Sequence, residues 1–498
     1  MRRAPSARAA WVGGLRRRPG AWSALLALFL SGPAPGAVAG GLPKPVVEAL
    51  QHHRLPADSL SVWVRDVAAE EPLVDHRADV ARNPASTIKL LTTLAALEVL
   101  GPAYRWKTDV HVTGPVRDGR LEGDLVVVGS GDPLLVVEQL WRMLAAVRAR
   151  GLEEVAGRLV IDNTRFSVDA EPPPGEFDGK PYRAYNAPPD ALLVNFNSLD
   201  MVFEPGEGGA RVWTEPAVAG LPVRNRIAST TGGCGRRVLR FAVSGPVAAD
   251  APPDVALPAV TVSGRFPRGC RRWSFPRSVL PPVRFADGVL RALWTQMGGR
   301  IEGGLAIEPL PAGAVRWHRH RSPSLAYVVR GINKYSNNVM ARNLLLTLGA
   351  ERYGPPGTTA KGRRAVGAWL GRRGIEASRV RLVNGSGLAR ETRISARTLG
   401  QVLLAGERSP FQPEFAGSLP LASLDGTMRS RLSRNAMAAR ARIKTGLLDG
   451  VRSMAGFVRT AGGRTLAVVA LQEHRGVHRG GRGTAVQDAL LGWLLDRK

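Results

Sequence analysis

The chain has 498 residues, of which 44% are hydrophobic and 22% charged, with a formal net charge of +28 at pH 7. That length calls for two or three domains, and that composition excludes a disordered chain. So large a positive charge raises a nucleic-acid partner, but aromatics are only 6% of residues, the basic residues are scattered rather than gathered in a stripe, and the N-terminus reads as an export signal. No nucleic acid is therefore expected, and a basic surface in peripheral association with an anionic envelope accounts for the charge.

Arg2, Arg3, Arg8, Arg16, Arg17 and Arg18, with no acid among them, precede the apolar run "AWSALLALFL", and Ala37-Val38-Ala39 supplies a small-x-small cleavage pattern. Residues 1–39 read as a signal peptide cleaved near Ala39, which makes the protein periplasmic and leaves the export route open. The apolar run is about ten residues, short of the ~20 that span a bilayer, and no later segment is long enough, so the mature chain has no transmembrane anchor.

After the leader, "KPVVEALQHHRL" reads as a helix, "SLSVWVRDV" alternates as a strand, and "LVDHRADVARNPAS" gives a second strand and a loop. "TIKLLTTLAALEVLG" is an apolar helix closed by Gly101. From about residue 108 to 317 the texture changes to short strands divided by Gly and Pro, with helices at "LLVVEQLWRMLAAVRARG" and "RFADGVLRALWTQMGG". From 318 on, helices return ("NNVMARNLLLTLG", "GRRAVGAWLGRRG", "SARTLGQVLLAG"), followed by two adjacent antiparallel strands, "MAGFVRT" and "TLAVVALQE". "TAVQDALLGWLLDRK" is a terminal amphipathic helix that packs on the sheet.

Of 69 basic residues only eight are lysine: Lys44, Lys89, Lys107, Lys180, Lys334, Lys361, Lys444 and Lys498. Arginine fills almost every position where a positive charge suffices. The retained lysines are candidates for chemistry a guanidinium cannot do, because only a buried ammonium can lose its proton and act as a base. Ser86-Thr87-Ile88-Lys89 opens the apolar helix, and the spacing of three puts Ser86 Oγ and the Lys89 amine on one face. Apolar neighbours should desolvate Lys89 and lower its pKa, which fits it to take the serine proton. Tyr335-Ser336-Asn337-Asn338 follows some 250 residues later, in a loop before a helix, and Lys444-Thr445-Gly446 then leads toward the strand "GVRSMAGFV". S-x-x-K, S-D-N (here S-N-N) and K-T-G are the signature set of penicillin-binding proteins and class A β-lactamases.

With "GSGDP", "YNAPPDALLVNFN", "NGSGLAR" and "SLPLASLDGTMRSR" added, the chain resembles the D-alanyl-D-alanine carboxypeptidase/endopeptidase family of low-molecular-mass class C penicillin-binding proteins. The resemblance covers nearly all of the chain after the leader. It implies an α/β penicillin-binding-protein/β-lactamase-like serine peptidase domain, discontinuous over 40–107 and 318–498. A β-rich two-domain insert would interrupt it: insert domain II over 108–200 and 277–317, and a nested domain III over 201–276. It also implies a DD-carboxypeptidase or DD-endopeptidase that acts on peptidoglycan peptides and is acylated by β-lactam antibiotics. Ser86 would be the nucleophile, Lys89 the acylation base and Ser336 a proton relay. Asn338 would bind the substrate amide. Lys444 and Thr445 of Lys444-Thr445-Gly446 would receive the terminal carboxylate, and the N–H groups of Ser86 and Leu447 would form the oxyanion hole. The family commonly has Ser or Thr where this chain has Leu447. The missing hydroxyl weakens recognition of a free carboxylate and leans toward endopeptidase action on cross-links.

Cys234 and Cys270 are the only cysteines. In an exported chain they are expected to pair, a bond worth roughly 3–4 kcal/mol in the chain-entropy picture, with two free thiols as the alternative. No metal or cofactor is expected: His318 and His320 read as exposed loop residues, without a carboxylate cluster or an H-E-x-x-H pattern. "GSGDP" and "NGSGLAR" read as turns, and Ser386 lacks the G-x-S-x-G spacing of a hydrolase nucleophile. A β-lactamase is the first alternative. Class A enzymes place a glutamate in E-x-x-x-N between the second and third motifs, and none of Glu351, Glu376, Glu391, Glu407 or Glu414 has Asn four residues on. A catalytically idle cell-wall-binding scaffold is the second, and the intact motif residues argue against it.

Overall fold

The two ends of the chain meet in one antiparallel sheet. The computed structural model describes residues 41–168, 171–207, 209–245, 255–433, 435 and 438–498, so the leader and its cleavage site lie outside the described residues. The sheet runs Ala441–Leu448, Val451–Arg459, Thr465–Glu473, Leu60–Asp66, Val74–His76. Both of its faces are covered, which is why "TLAVVALQ" is apolar at almost every position. Trp63, Val469 and Leu471 enter one core with the helices Lys89–Leu100, Leu325–Tyr335, Asn338–Tyr353, Thr359–Arg372 and Ala396–Glu407. Val62, Val64, Val468 and Ala470 point the other way, into a second core under the terminal helices Lys44–His52 and Arg482–Leu495. This is the period-two alternation of a strand divided between two layers. Each fully buried Val or Leu contributes about 1.5–3 kcal/mol of transfer free energy to holding the layers together.

Helix Lys89–Leu100 is buried at every position from Lys89 to Leu97, so it is the central element of its layer. Gly101, at φ 82°, ends it in the left-handed region and donates its N–H to Leu97 O at 3.0 Å.

Between Lys107 and Arg321 the chain builds a five-stranded mixed sheet, Leu305–Ile307, Leu159–Asp162, Leu125–Val128, Lys107–Val112, Val315–Arg321. Helices Val137–Arg148 and Pro282–Gln296 belong to the same apolar core. Two three-stranded sheets lie between them in sequence. One runs Ala210–Glu215, Leu199–Pro205, Trp273–Arg277, and the other Val223–Thr230, Val260–Pro267, Val238–Val243. The expected limits at 200, 276 and 317 therefore fall inside the strands Leu199–Pro205, Trp273–Arg277 and Val315–Arg321. Cys234 and Cys270 are disulfide-bonded, with their Cα atoms 4.5 Å apart. His318 and His320 do not sit in a loop. They lie on the strand Val315–Arg321, which pairs with Lys107–Val112, and burial pushes the His320 pKa down to about 4.

The segment from Lys107 to Arg321 docks on helix Asn338–Tyr353 through buried polar groups. Asn343 Nδ2 donates to Gly131 O (3.2 Å) and Asp190 O (2.8 Å), so both "GSGDP" and "APPDAL" are held by one side chain. Arg342 and Glu171 form an ion pair in which both side chains are about 5% exposed. This seam fixes the loop around Tyr185 beside the start of that helix.

Candidate active site

Ser86 sits in the 3-10 turn Ala85–Ile88, which runs directly into helix Lys89–Leu100. Ala85 has φ 45°, a conformation unfavourable for a residue with a side chain, and it is held from several sides. Asn83 Oδ1 accepts the Ala85 N–H at 2.8 Å, while Asn83 Nδ2 donates to Ala389 O at 2.9 Å. Ser453 Oγ donates to Pro84 O at 2.5 Å. Two glycines allow the close approach. A Cβ on Gly387 would lie 2.0 Å from Ala85 O, and one on Gly446 would lie 2.1 Å from Ser453 Oγ and 2.7 Å from Pro84 O. The glycine of K-T-G is thus required by sterics: the strand passes too near the serine turn for any side chain.

Lys89 is fully buried. Its Nζ lies 2.9 Å from Ser86 Oγ, 2.7 Å from Asn338 Oδ1 and 2.5 Å from Ser386 O. Burial, and then the neighbouring charge of Lys444, hold its pKa well below the ordinary lysine value. Asn338 Nδ2 donates to Tyr185 O at 3.1 Å, which fixes its Oδ1 toward the lysine.

Ser336 ends helix Leu325–Tyr335 in the left-handed conformation (φ 58°), and Asn337 then caps helix Asn338–Tyr353 by accepting the Met340 N–H at 3.1 Å. Lys444 is also fully buried, and its Nζ donates to Ser336 Oγ and Thr445 O, both at 2.8 Å. Burial lowers its pKa to about 7. K-T-G does not merely lead toward a strand. It lies within Ala441–Leu448, at the edge of the five-stranded sheet. On that strand Ile443 N–H donates to Pro420 O and Ala441 O accepts from Ala422 N–H, so odd-numbered residues turn their backbone groups away from Val451–Arg459. By the alternation of a strand, Thr445 and Leu447 face the same open edge. Thr445 Oγ1 hydrogen-bonds Thr427 Oγ1 at 2.9 Å, and the Leu447 side chain is 53% exposed.

The structure thus brings Ser86, Lys89 and Asn338 into one hydrogen-bonded cluster and Ser336, Lys444 and Thr445 into a second, close enough for the charge of Lys444 to act on Lys89, with Gly446 packed on the serine turn and Leu447 at the rim. Cys234 and Cys270 lie apart from it, in the segment between Lys107 and Arg321. Sequence reading missed the carbonyl of Ser386, which makes "NGSGLAR" part of the cluster rather than a plain turn. It also passed over Lys334, buried and bonded to Asp425 Oδ2 at 2.5 Å behind the Thr427 loop, although the scarcity of lysine marks it. Among the described residues, no carboxylate is bonded to Ser86, Lys89, Ser336 or Lys444.

An antiparallel sheet between two helical layers, with a serine and a buried lysine on one helical turn and a second lysine reaching in from the edge strand, defines a serine peptidase of the penicillin-binding-protein fold class. The chain belongs to the D-Ala-D-Ala carboxypeptidase 3 (S13) family, whose model matches residues 42–496. It is 30% identical over 442 residues to the D-alanyl-D-alanine carboxypeptidase of an Actinomadura species, which covers 86% of this chain and 80% of the relative. Among solved structures, penicillin binding protein 4 from Haemophilus influenzae superposes with a TM-score of 0.74 at 22% identity, over 91% of this chain and 99% of that one. A predatory endopeptidase from Bdellovibrio bacteriovorus, solved with an immunity protein, shares the fold with a TM-score of 0.52 at 16% identity, over 87% and 92% of the two chains. The protein is accordingly a serine-type hydrolase of the carboxypeptidase family that acts in peptidoglycan metabolism.

Proposed function

We propose that Ser86 attacks D-alanyl peptide bonds of peptidoglycan and forms an acyl-enzyme, with Lys89 as the base. The observation that carries this is the set of three contacts of Lys89 Nζ. Asn338 Oδ1 and Ser386 O can only accept, so a neutral amine spends both of its protons on them. Its lone pair is left aimed at Ser86, whose O–H then donates to the amine. Arginine could not take this role, because it does not lose its proton. The carbonyl oxygen of the scissile bond enters between the N–H groups of Ser86 and Leu447, where the developing negative charge meets donors already in place. Ser336, held by Lys444, passes a proton to the departing amine. Lys444 and Thr445 present positive charge and a hydroxyl to the C-terminal side of the substrate.

Leu447 puts an apolar side chain where a hydroxyl would help grip a free carboxylate, so the reading leans to cross-links over carboxyl-terminal D-alanine. β-Lactams follow the same path, as the complex of the Haemophilus influenzae protein with a β-lactam supports. The absence of a bonded carboxylate at Ser86, among the described residues, favours a long-lived acyl-enzyme over a β-lactamase. In this reading the leader exports the chain to the periplasm and the peptidase domain is discontinuous, interrupted by the Lys107–Arg321 segment as a two-domain insert.

Intact-mass measurement after penicillin treatment tests the proposal, together with product analysis on peptidoglycan fragments that resolves released D-alanine from opened cross-links. A stable adduct on the wild type and none on Ser86→Ala is expected. An adduct that persists in Ser86→Ala, or rapid release of hydrolysed drug by the wild type, would overturn it.

A further inference from the structure

An open aromatic groove lies along the loop that meets the active site at Tyr185. Strands Val238–Val243 and Trp273–Arg277 are edge strands of the two three-stranded sheets. Their inner neighbours Val260, Val262, Phe266 and Phe203 are fully buried, but Phe241, Trp273 and Phe275 remain half-exposed and, with Tyr182, line an open groove of about 550 Å³. The rings support one another. Phe203 stacks behind Phe275 at 5.3 Å, Trp273 lies 5.2 Å from Phe275, and Tyr182 and Phe241 meet edge-on at 6.1 Å.

The groove is also cationic. Arg277 lies over Phe275 at 4.1 Å and beside Phe241 at 5.2 Å, while Lys180 and Arg183 complete the lining. Burial, and then the charge of Arg183, lower the Arg277 pKa. Among the described residues no carboxylate forms an ion pair with any of the three. The adjacent Asp178 already accepts from Tyr185 Oη (2.7 Å), Asn186 Nδ2 (2.8 Å) and the Lys180 N–H (3.0 Å). The loop is fastened at both ends: Arg183 bridges Arg277 through the backbone, and Tyr185 O receives Asn338 Nδ2. The three residues from Tyr182 to Tyr185 span at most about 10 Å, so the groove begins within one disaccharide of the nucleophile's neighbours.

Resting on the peptidase reading above, we infer that this groove binds the disaccharide–peptide part of peptidoglycan remote from the scissile bond. Sugar faces would lie on the rings and stem-peptide carboxylates against the unpaired cations. Such a ligand matches both halves of the site: flat apolar faces for the aromatic rings, and carboxylates for the charge-assisted bonds that arginine offers. A short D-alanyl peptide would not reach it.

The test compares a disaccharide–peptide dimer with a short D-alanyl-D-alanine peptide on the full protein. The variants are Lys180→Gln/Arg183→Gln, where both side chains are exposed, and Phe241→Ala. The KM for the dimer should rise about tenfold in each variant, less at high salt for the wild type against the charge variant, while the short peptide stays within about twofold. The rate of penicillin acylation should be unchanged, which certifies folding. If Phe241→Ala fails to acylate, the charge variant decides. Equal changes on both substrates, or none on the dimer, would overturn the inference. A wild type that neither acylates nor cleaves the short peptide would instead overturn the peptidase reading, and this inference with it.

Discussion

The cleft holds two fully buried lysines, Lys89 and Lys444, with no carboxylate bonded to either among the described residues. The seam where the Lys107–Arg321 segment meets helix Asn338–Tyr353 holds two buried aspartates, Asp132 and Asp190, and among the described residues no cation is bonded to either. In both places burial without a partner of opposite charge shifts the protonation equilibrium toward the neutral form. Burial lowers Lys444 to about 7 and lowers Lys89 strongly, while it raises Asp132 to about 7 and Asp190 to about 6. The results differ in use. Lys89 without its proton is a base lying against the Ser86 hydroxyl, while Lys444, lowered only to about 7, still carries charge beside Ser336 near neutral pH. An aspartate whose proton is held more tightly is less costly to bury within a structural joint, where Asp132 accepts from Leu134 and Asp190 from Leu192 and Asn163. Lys334, also buried, is instead paired with Asp425.

The largest expected effect breaks the cleft half of the comparison. Lys89→Arg keeps the charge and removes the base, so penicillin acylation should fall about a thousandfold, the range of a lost general base. Lys444→Arg, which keeps positive charge beside Ser336, should cost only about tenfold. Stopped acylation followed by intact mass reads both. Equal losses in the two variants would mean that the lysines are not divided into base and charge.

Gly446→Ala comes next. The added methyl would stand 2.1 Å from Ser453 Oγ and 2.7 Å from Pro84 O, so either the edge strand or the serine turn must move. Overpacking of this kind costs about 1–3 kcal/mol, and the displaced turn carries Ser86, so acylation should fall about a hundredfold as well. Urea unfolding and acylation rates together check it, and unchanged kinetics would show that the strand and the turn are not in contact.

The seam is tested by pH. Asp132 binds a proton more tightly folded than unfolded, so its contribution is full below about 4 and is lost as pH rises through about 7. Lys444 has the opposite sense: stability rises with pH from about 7 toward the ordinary lysine value, where the unfolded chain still binds the proton and the folded one does not. Asp132→Asn should remove the first effect and make the protein about 1–3 kcal/mol more stable than wild type at pH 8, with no gain at pH 4. Denaturant melts at both pH values give the answer, and parallel curves for the two proteins would refute the shift.

Much of the cleft is legible in the sequence because its chemistry rests on side chains at fixed local spacing. Ser86 and Lys89 stand three apart across one helical turn, and the scarcity of lysine in this arginine-rich chain narrows the candidates to eight, of which Lys89 and Lys444 fall in motifs. What stays hidden is carried by backbone or by long-range topology. Ser386 acts through its carbonyl, and residue identity says nothing about a carbonyl's direction. Gly387 and Gly446 matter only because strands and turns distant in sequence pass within 3 Å of where a side chain would sit. Periodicity marks the strand after K-T-G but not that K-T-G lies on the sheet's edge. That depends on which strand ends the order, and the sheet is assembled from both termini. The histidines at 318 and 320 are misplaced in a loop for the same reason. Their strand, "VRWHRHR", has no apolar face of its own and is recruited by pairing with Lys107–Val112.

The smallest expected effect sharpens the boundary between base and scaffold. S-N-N departs from S-D-N only at Asn337, and the structure gives that residue one visible task, to accept the Met340 N–H as the cap of helix Asn338–Tyr353. Asn and Asp are equivalent caps, and a carboxylate at a helix N-terminus gains from the dipole, so Asn337→Asp should change stability by no more than about 0.5 kcal/mol, while Asn337→Ala should cost about 1 kcal/mol. The aspartate variant also places a negative charge one residue from Asn338, whose oxygen touches Lys89. A carboxylate there stabilises the ammonium and moves the acylation pH profile upward, because more base is needed to strip the proton. With the cap pointing into the helix and not at the lysine, the shift should stay below about half a pH unit, and rates at pH 8 within about twofold. Acylation rates measured from pH 6 to 9 on both variants decide the matter. A shift of a full unit in Asn337→Asp would show that the field at Lys89 is set by the loop as well as by burial, and would move Asn337 from the scaffold into the machinery that tunes the base.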